Sequence, residues 1–467
     1  MTAASLSPAL APYRYRWPRE ELAEAGGWCR AADGGVERAL PESAVELARD
    51  SRWPALFPSP VCLVTAAHGT TAVLERVVGP SIVNRFPYVL ALSFCVESLS
   101  GRHYARRAFT RVLEAGGEAA VQFLAPGAAL DAVLGAIETT PEPDTASRLA
   151  RTGLATRRAT TSAAPVFADA YLVYEGRLVR PGRDLDGEPI YPRPWLDVGS
   201  HRVYFLEVRA IQLRRDIAEG RSQIRWRSLP AWSAARTTDA PVVEADASRR
   251  YQKGYTPHYA FPSAGTIAFE ADGLEAGMAV KHLPSEAADQ VEVDNDRARW
   301  PCFFPSSVGM ITTWAADDRP NLMPCGSTTV VSRAPLVITP CVGYAAINER
   351  YAPRLTLELI RKNRAFGCGV PFISDRVVAA IKYAGNVSFQ VAGDKVARAG
   401  LAVERGGPAP VLPELPVHFD CEVLDEVRLG THVMFLGAVR RIRVRPDVTP
   451  SNPLEWCPWA DVRAADG

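Results

Sequence analysis

Between Phe304 and Pro371 the chain alternates apolar runs with clusters of turn-forming residues. Val308 to Thr313 is apolar and β-branched, and Asp317-Asp318-Arg319-Pro320 then breaks the strand, which predicts a hairpin. Ser327 to Val331 is β-branched and polar, Ser332-Arg333-Ala334-Pro335 forms a second turn, and Leu336 to Val342 is apolar almost throughout. Leu355, Leu359 and Phe366 then recur near helical spacing, so a helix should follow the strands.

This pattern belongs to a repeat. Arg52-Trp53-Pro54-Ala55-Leu56-Phe57-Pro58-Ser59-Pro60-Val61 returns as Arg299-Trp300-Pro301-Cys302-Phe303-Phe304-Pro305-Ser306-Ser307-Val308, an offset of 247 (299 − 52). Ala150-Arg151-Thr152-Gly153-Leu154 returns as Ala397-Arg398-Ala399-Gly400-Leu401 at the same offset (397 − 150 = 247), and Leu40-Pro41 pairs with Leu283-Pro284 upstream. Gly199-Ser200-His201 matches Gly430-Thr431-His432 at 231 (432 − 201), so the first copy carries 16 additional residues (247 − 231) before its His. They fall between Gly176 and Val198, where Pro, Gly and charge predict an irregular surface excursion of the kind that often covers a site. Ser233 to Ser263 is a linker, and its Arg249-Arg250-Tyr251 stretch is either solvated or a ligand-contacting arm.

The second copy holds an ordered series of short motifs: Pro-Ser-x-Val at Pro305, Asn-x-Met at Asn321, the Val-Ser-x-x-Pro corner at Val331, Arg350-Tyr351, Thr356 opening a helix and Ile-Arg-Lys-Asn at Ile360. Gly385-Asn386-Val387-Ser388, Asp394-Lys395, Phe419-Asp420-Cys421 and Gly430-Thr431-His432 continue it. In this order the chain resembles the flavin reductase-like domain family, whose members are FMN-binding split β-barrels. The resemblance implies a mainly β fold with flanking helices (α+β), made of two split β-barrels that form an intrachain pseudo-dimer. The repeat then divides the chain into an extension at 1–49, a degenerate first barrel at 50–215, a linker at 216–296, an FMN-binding second barrel at 297–445 and a tail at 446–467.

By the same resemblance, Asn321, Met323, Ser327, Thr328 and Thr329 run along the flavin, although three hydroxylated residues also suit an ordinary strand. Arg350, Tyr351 and Thr356 stand at a helix start, where unpaired N–H groups and a guanidinium would receive a phosphate; whether Arg350 or Arg354 reaches it is open. His432 is the implied catalytic residue, orienting a hydride donor, with a structural histidine as the alternative. In the first copy, Val73, Glu75 and Gly79-Pro80-Ser81 stand opposite Asn321, Met323 and Ser327-Thr328-Thr329, and an acid there would repel a flavin phosphate. Arg102 matches Arg350, yet His103 replaces Tyr351. One FMN per chain, held by the second copy near the seam, is therefore expected.

Composition narrows the partners. Fifty-three basic and 52 acidic side chains leave a net charge of +1, which offers no general field for nucleic acid or an anionic membrane. Nine isolated cysteines, several in apolar runs, read as reduced core thiols of a cytoplasmic protein, and neither a signal peptide nor a spanning segment is predicted. Seven scattered histidines form no metal motif, and no Rossmann glycine pattern, phosphate loop or nucleophile elbow is present. The leading function is a flavin reductase passing hydride from NAD(P)H to FMN, with reduced flavin used by a monooxygenase partner. The alternatives are a pathway-specific flavoenzyme acting on a small substrate, and a non-catalytic flavin- or heme-binding module; further homo-oligomerisation is left open.

Overall fold

The computed structural model describes residues 28–30, 36–39, 57, 59–85, 87–97, 105–125, 127–184, 186–218, 231–232, 277–283, 306–333, 335–345, 354–371, 374–390 and 392–446. The protein is mainly β. Its first half contributes β1 (Ser59–His68), β2 (Thr71–Val78), β3 (Ser81–Asn84), β4 (Val89–Cys95), β5 (Glu118–Phe123), β6 (Leu172–Leu178) and β7 (His201–Arg214). Helices α1 (Arg107–Gly116), α2 (Ala128–Thr139) and α3 (Arg148–Thr152) lie among them. The second half contributes β8 (Gly309–Trp314), β9 (Pro320–Cys325), β10 (Thr328–Arg333), β11 (Leu336–Gly343), β12 (Ala365–Val370), β13 (Val417–Arg428) and β14 (His432–Val444). Its helices are α4 (Leu355–Asn363), α5 (Asp375–Asn386) and α6 (Lys395–Arg398).

The two sheets share one strand order. Neighbours run β2-β1-β5-β6-β7-β4-β3 in the first and β9-β8-β12-β13-β14-β11-β10 in the second, antiparallel throughout. Register agrees residue by residue: Val64 faces Glu75 where Ile311 faces Met323, and His201 faces Cys95 where His432 faces Gly343. The hairpin after β8 is closed by Asp318 in the left-handed region at φ 59, whereas β1 and β2 turn through Gly69 at φ 58. One extra residue in the β8–β9 turn moves the offset from 247 at Thr313 and Ala66 to 248 at Asn321 and Val73 (313 − 66 and 321 − 73).

The strands read from the sequence are present, and the helix runs from Leu355 to Asn363. Phe366 is a correction: it lies on β12, beyond Arg364, whose left-handed backbone at φ 53 ends the helix. The segment between Gly176 and Val198 also differs from a plain surface excursion. It forms a short hairpin at 182–183 and 189–190, and a strand at 195–198 pairs with β7. Val179, Ile190 and Tyr191 are buried, because apolar side chains in this otherwise polar stretch have a neighbouring core to enter.

That core is the seam between the halves. Val83, Val89, Ala91, Val203 and Phe205 from β3, β4 and β7 pack with Val331, Val337, Cys341, Met434 and Leu436 from β10, β11 and β14. Leu90, Leu92 and Leu206 point the other way, into the first half's own core. The central strands are thus buried on both faces, which explains why Leu336 to Val342 is apolar without alternation. Leading strands are also exchanged. The strand at 36–39 pairs with β14 of the second half, and the strand at 278–282 pairs with β7 of the first.

Polar contacts fix the seam's register. Asn84 Oδ1 accepts from Thr431 N at 2.8 Å, from Thr431 Oγ1 at 2.9 Å and from His432 N at 3.2 Å. Ser93 Oγ donates to Val331 O at 2.6 Å, and Tyr191 Oη donates to Leu429 O at 2.7 Å. Arg428 meets Asp184 at 2.7 Å and lies 4.6 Å over the Tyr344 ring. No described helix is long and apolar enough to cross a membrane. Because Asn84 satisfies three donors, two of them fully buried, Asn84→Ala should lower stability by about 1–3 kcal/mol, read as a fall in Tm. An unchanged Tm would mean that these bonds do not hold the seam.

Candidate functional site

The second half places Asn321 on β9, where it faces Thr313 of β8 across the ladder. Both are buried, and Asn321 Nδ2 donates to Thr313 Oγ1 at 3.3 Å and to Thr356 Oγ1 at 3.0 Å. Asn321 therefore ties the hairpin to the first turn of α4. No side chain caps this nine-residue helix, whose N-terminal flank, Arg354, has extended backbone and donates its N–H to Gly343 O at 3.1 Å. Uncapped N–H groups at a helix start favour an anion.

Met323 is partly exposed on the same strand as Asn321. Thr328 donates to Cys325 O at 3.0 Å and packs against Gly309, where a Cβ would collide with it. The Thr329 hydroxyl donates across the seam to Gly79 O. Ser327 is partly exposed, and its carbonyl accepts from Cys341 N at 3.3 Å. Arg350 and Tyr351 lie outside the described residues. The structure thus brings Asn321 and Thr356 together, and it places the hydroxyls of Thr328 and Thr329 on protein carbonyls.

His432 opens β14 beside the end of β11, with Nε2 toward Gly343. Its Nδ1 is 2.8 Å from Thr431 Oγ1, and that hydroxyl donates its one proton to Asn84 Oδ1. Nδ1 must therefore carry the ring proton, which leaves Nε2 as an acceptor. Burial, and then the guanidiniums of Arg354 and Arg85, push the His432 pKa down to about 4. Arg85 comes from the first half, fully buried, and its N–H donates to Thr431 Oγ1 at 3.4 Å.

Sequence reasoning did not single out Lys395 as a site residue. It begins α6, is 5% exposed, and its ammonium has no hydrogen-bond or ion-pair partner among the described residues. Burial, and then the charge of Arg354, lower its pKa to about 8. A buried ammonium under the field of the exposed Arg354, with no carboxylate partner among the described residues, is costly, and an added anion would relieve that cost.

The first half shows what such a pair looks like when it is closed. Arg106 flanks α1 as Arg354 flanks α4, and Arg148 begins α3 as Lys395 begins α6. Between them stands Glu75, in the register position of Met323. Its Oε2 lies 2.6 Å from Arg148 Nη1 and 3.3 Å from Arg106 Nε. Burial opposes its charge, but Arg106 and Arg148 prevail and hold its pKa below the usual carboxylate value. The signal was present in the repeat: the offsets of 247 and 248 pair Lys395 with Arg148 and Arg354 with Arg106 (395 − 148 and 354 − 106), while only the first copy has the acid.

Residues 301–460 match the model of the flavin reductase like domain family. Among solved structures, the chain is similar to an FMN-binding protein from Thermus thermophilus, at 18% identity over 38% of this chain and 79% of that one, TM-score 0.26. It is similar to flavoredoxin of Desulfovibrio vulgaris (Miyazaki F), at 23% identity over 32% and 76%, TM-score 0.27. It is also similar to nitrilotriacetate monooxygenase component B from Bacillus cereus, at 18% identity over 37% and 87%, TM-score 0.31. No curated protein matches the sequence. The family match thus falls on the second half of the chain.

A neutral His432 has a measurable signature. With its folded pKa near 4, below the ordinary value of about 6.5, it binds fewer protons folded than unfolded between these pH values, so stability falls as pH drops through that window. NMR titration of the imidazole should show a midpoint near pH 4 in the ligand-free protein. A midpoint near 6.5 would contradict the desolvation and the guanidinium fields at this ring.

Proposed function

We propose that the chain is a flavin-dependent oxidoreductase of the flavin reductase type, in which the second half binds FMN and uses NAD(P)H as hydride source. One observation carries the reading: in a flavin reductase-like domain, Lys395 and Arg354 form a cation pair with no carboxylate partner among the described residues. A flavin mononucleotide brings the missing charge as its phosphate, and the donor set fits it. Bound there, the flavin would supply hydride acceptance from nicotinamide, chemistry no side chain provides.

The chain's own residues bind and orient. Lys395, Arg354 and the α4 N-terminus would receive the phosphate, with Arg350 and Tyr351 as further candidates on the preceding segment. Asn321 and Thr356 hold β9 against α4, so the strand carrying Met323 and Ser327 is fixed relative to the anion site. The backbone around Thr328 and Thr329 would line the cofactor, while their hydroxyls keep the strand in place. His432 would offer Nε2 as a hydrogen-bond acceptor to a carboxamide N–H, a positioning role suited to a neutral ring. Arg85 and Asn84 supply part of this wall from the first half.

In this reading the two halves, residues 50–215 and 297–445, are tandem split barrels in an intrachain pseudo-dimer; the shared strand order and register support it. Reduced flavin would pass to a monooxygenase partner or to a small substrate. The segment that buries Val179, Ile190 and Tyr191 at the seam, anchored by Tyr191 and by Asp184 near Tyr344, favours a substrate handled in place.

Comparing FMN with riboflavin, which lacks the phosphate, tests the reading. Lys395→Met should weaken FMN binding about tenfold to a hundredfold, the scale of one charge-assisted bond, and leave riboflavin unchanged. Lys395 is charged below its pKa of about 8 and neutral above it, so FMN affinity should fall as pH rises through about 8, and the variant should lose that dependence. Equal loss for both ligands, or none for either, would place the phosphate elsewhere.

A further inference from the structure

We infer that Glu75 is a built-in anion, occupying in the first half the place that a phosphate-bearing ligand takes in the second, and that it closes a latent anion site there. The inference rests on the assignment of Lys395 and Arg354 as the ligand's anion site.

Glu75 is fully buried on β2, and each of its oxygens is engaged. Oε2 bridges Arg148 and Arg106, and Oε1 accepts from Arg76 N at 3.0 Å. Arg148 is held in place independently: its guanidinium also donates to Leu74 O, to Thr145 Oγ1 and to Thr140 O, each at 3.1 Å. The cation would therefore stay aimed at the same point if the carboxylate were removed. The first half thus sets a carboxylate between two guanidiniums, whereas the equivalent positions of the second half carry Met323, Arg354 and Lys395, two cations and a thioether.

The strand registers make the comparison strict, since Glu75 and Met323 project from equivalent positions toward equivalent helix starts. A phosphate dianion cannot share the first site with an ionised carboxylate, because like charges at contact distance repel by several kcal/mol in a buried setting. Acidification does not readily open it, since the two arginines keep Glu75 ionised below the usual carboxylate range. Neutralising residue 75 should do so.

The probe is inorganic phosphate, and the readout is Tm at matched ionic strength in chloride and in phosphate buffer. In the Lys395→Met background the second site is disabled, and phosphate should leave Tm unmoved relative to chloride. Adding Glu75→Met should lower Tm in chloride by several degrees, because Arg148 loses its counterion, and millimolar phosphate should restore most of the loss. Glu75→Gln, which keeps the shape, should respond the same way and replaces Glu75→Met if that variant does not fold in chloride. No phosphate-specific rise in either folded double variant would overturn the inference. The parent reading fails separately: it falls if phosphate stabilises Lys395→Met as much as the unsubstituted chain.

Discussion

Burial of the central strands on both faces is the constraint from which the rest of this molecule follows. An antiparallel sheet ordinarily keeps one face wet. Here β4 and β7 turn Leu90, Leu92 and Leu206 into one core, and Val89, Ala91, Val203 and Phe205 into a second core shared with β11 and β14. Neither half could expose that second face without presenting a large apolar patch. The exchanged strands at 36–39 and 278–282 extend the same dependence, since each completes the sheet of the opposite half. A site built at the seam therefore has walls from both halves: Asn84, Arg85 and Gly79 reach the second half's Thr431, His432 and Thr329.

Within that shared frame, the two halves keep some local chemistry and differ in the charge held between two cations. Both keep a hydroxyl beside the strand-opening histidine, with Ser200 Oγ 2.8 Å from His201 Nδ1 and Thr431 Oγ1 2.8 Å from His432 Nδ1. Both keep a cation at the helix flank and another at the following short helix. The difference is the group between those cations. Glu75 satisfies them from within in the first half, whereas Met323 brings no charge in the second; on the proposed reading, one half is self-contained and the other is completed by a ligand.

Much of this was legible in the chain. The repeat offsets located both halves, their strands and the Glu75–Met323 contrast, because strand register is fixed by alternation and by short turns. Phe366 was placed on the helix by spacing alone; the left-handed Arg364 that ends the helix leaves no periodic signal. The buried part of the 176–198 segment was hidden because Tyr191 and Ile190 find their partners on the other half. Thr328 and Thr329 looked like ligand groups, and only coordinates show their hydroxyls donating to Cys325 O and Gly79 O. Lys395 stands in the Asp394-Lys395 motif, but a lysine's lack of a carboxylate partner is a property of the fold and leaves no mark in the sequence.

In the proposed arrangement one half holds the flavin and the other holds its own anion. Spectrophotometric titration of the purified full chain with FMN, read against protein concentration, measures this directly. One equivalent per chain is the predicted result; two equivalents would show that Glu75 does not close the first half, and none would contradict the assignment of Lys395 and Arg354 to a flavin phosphate.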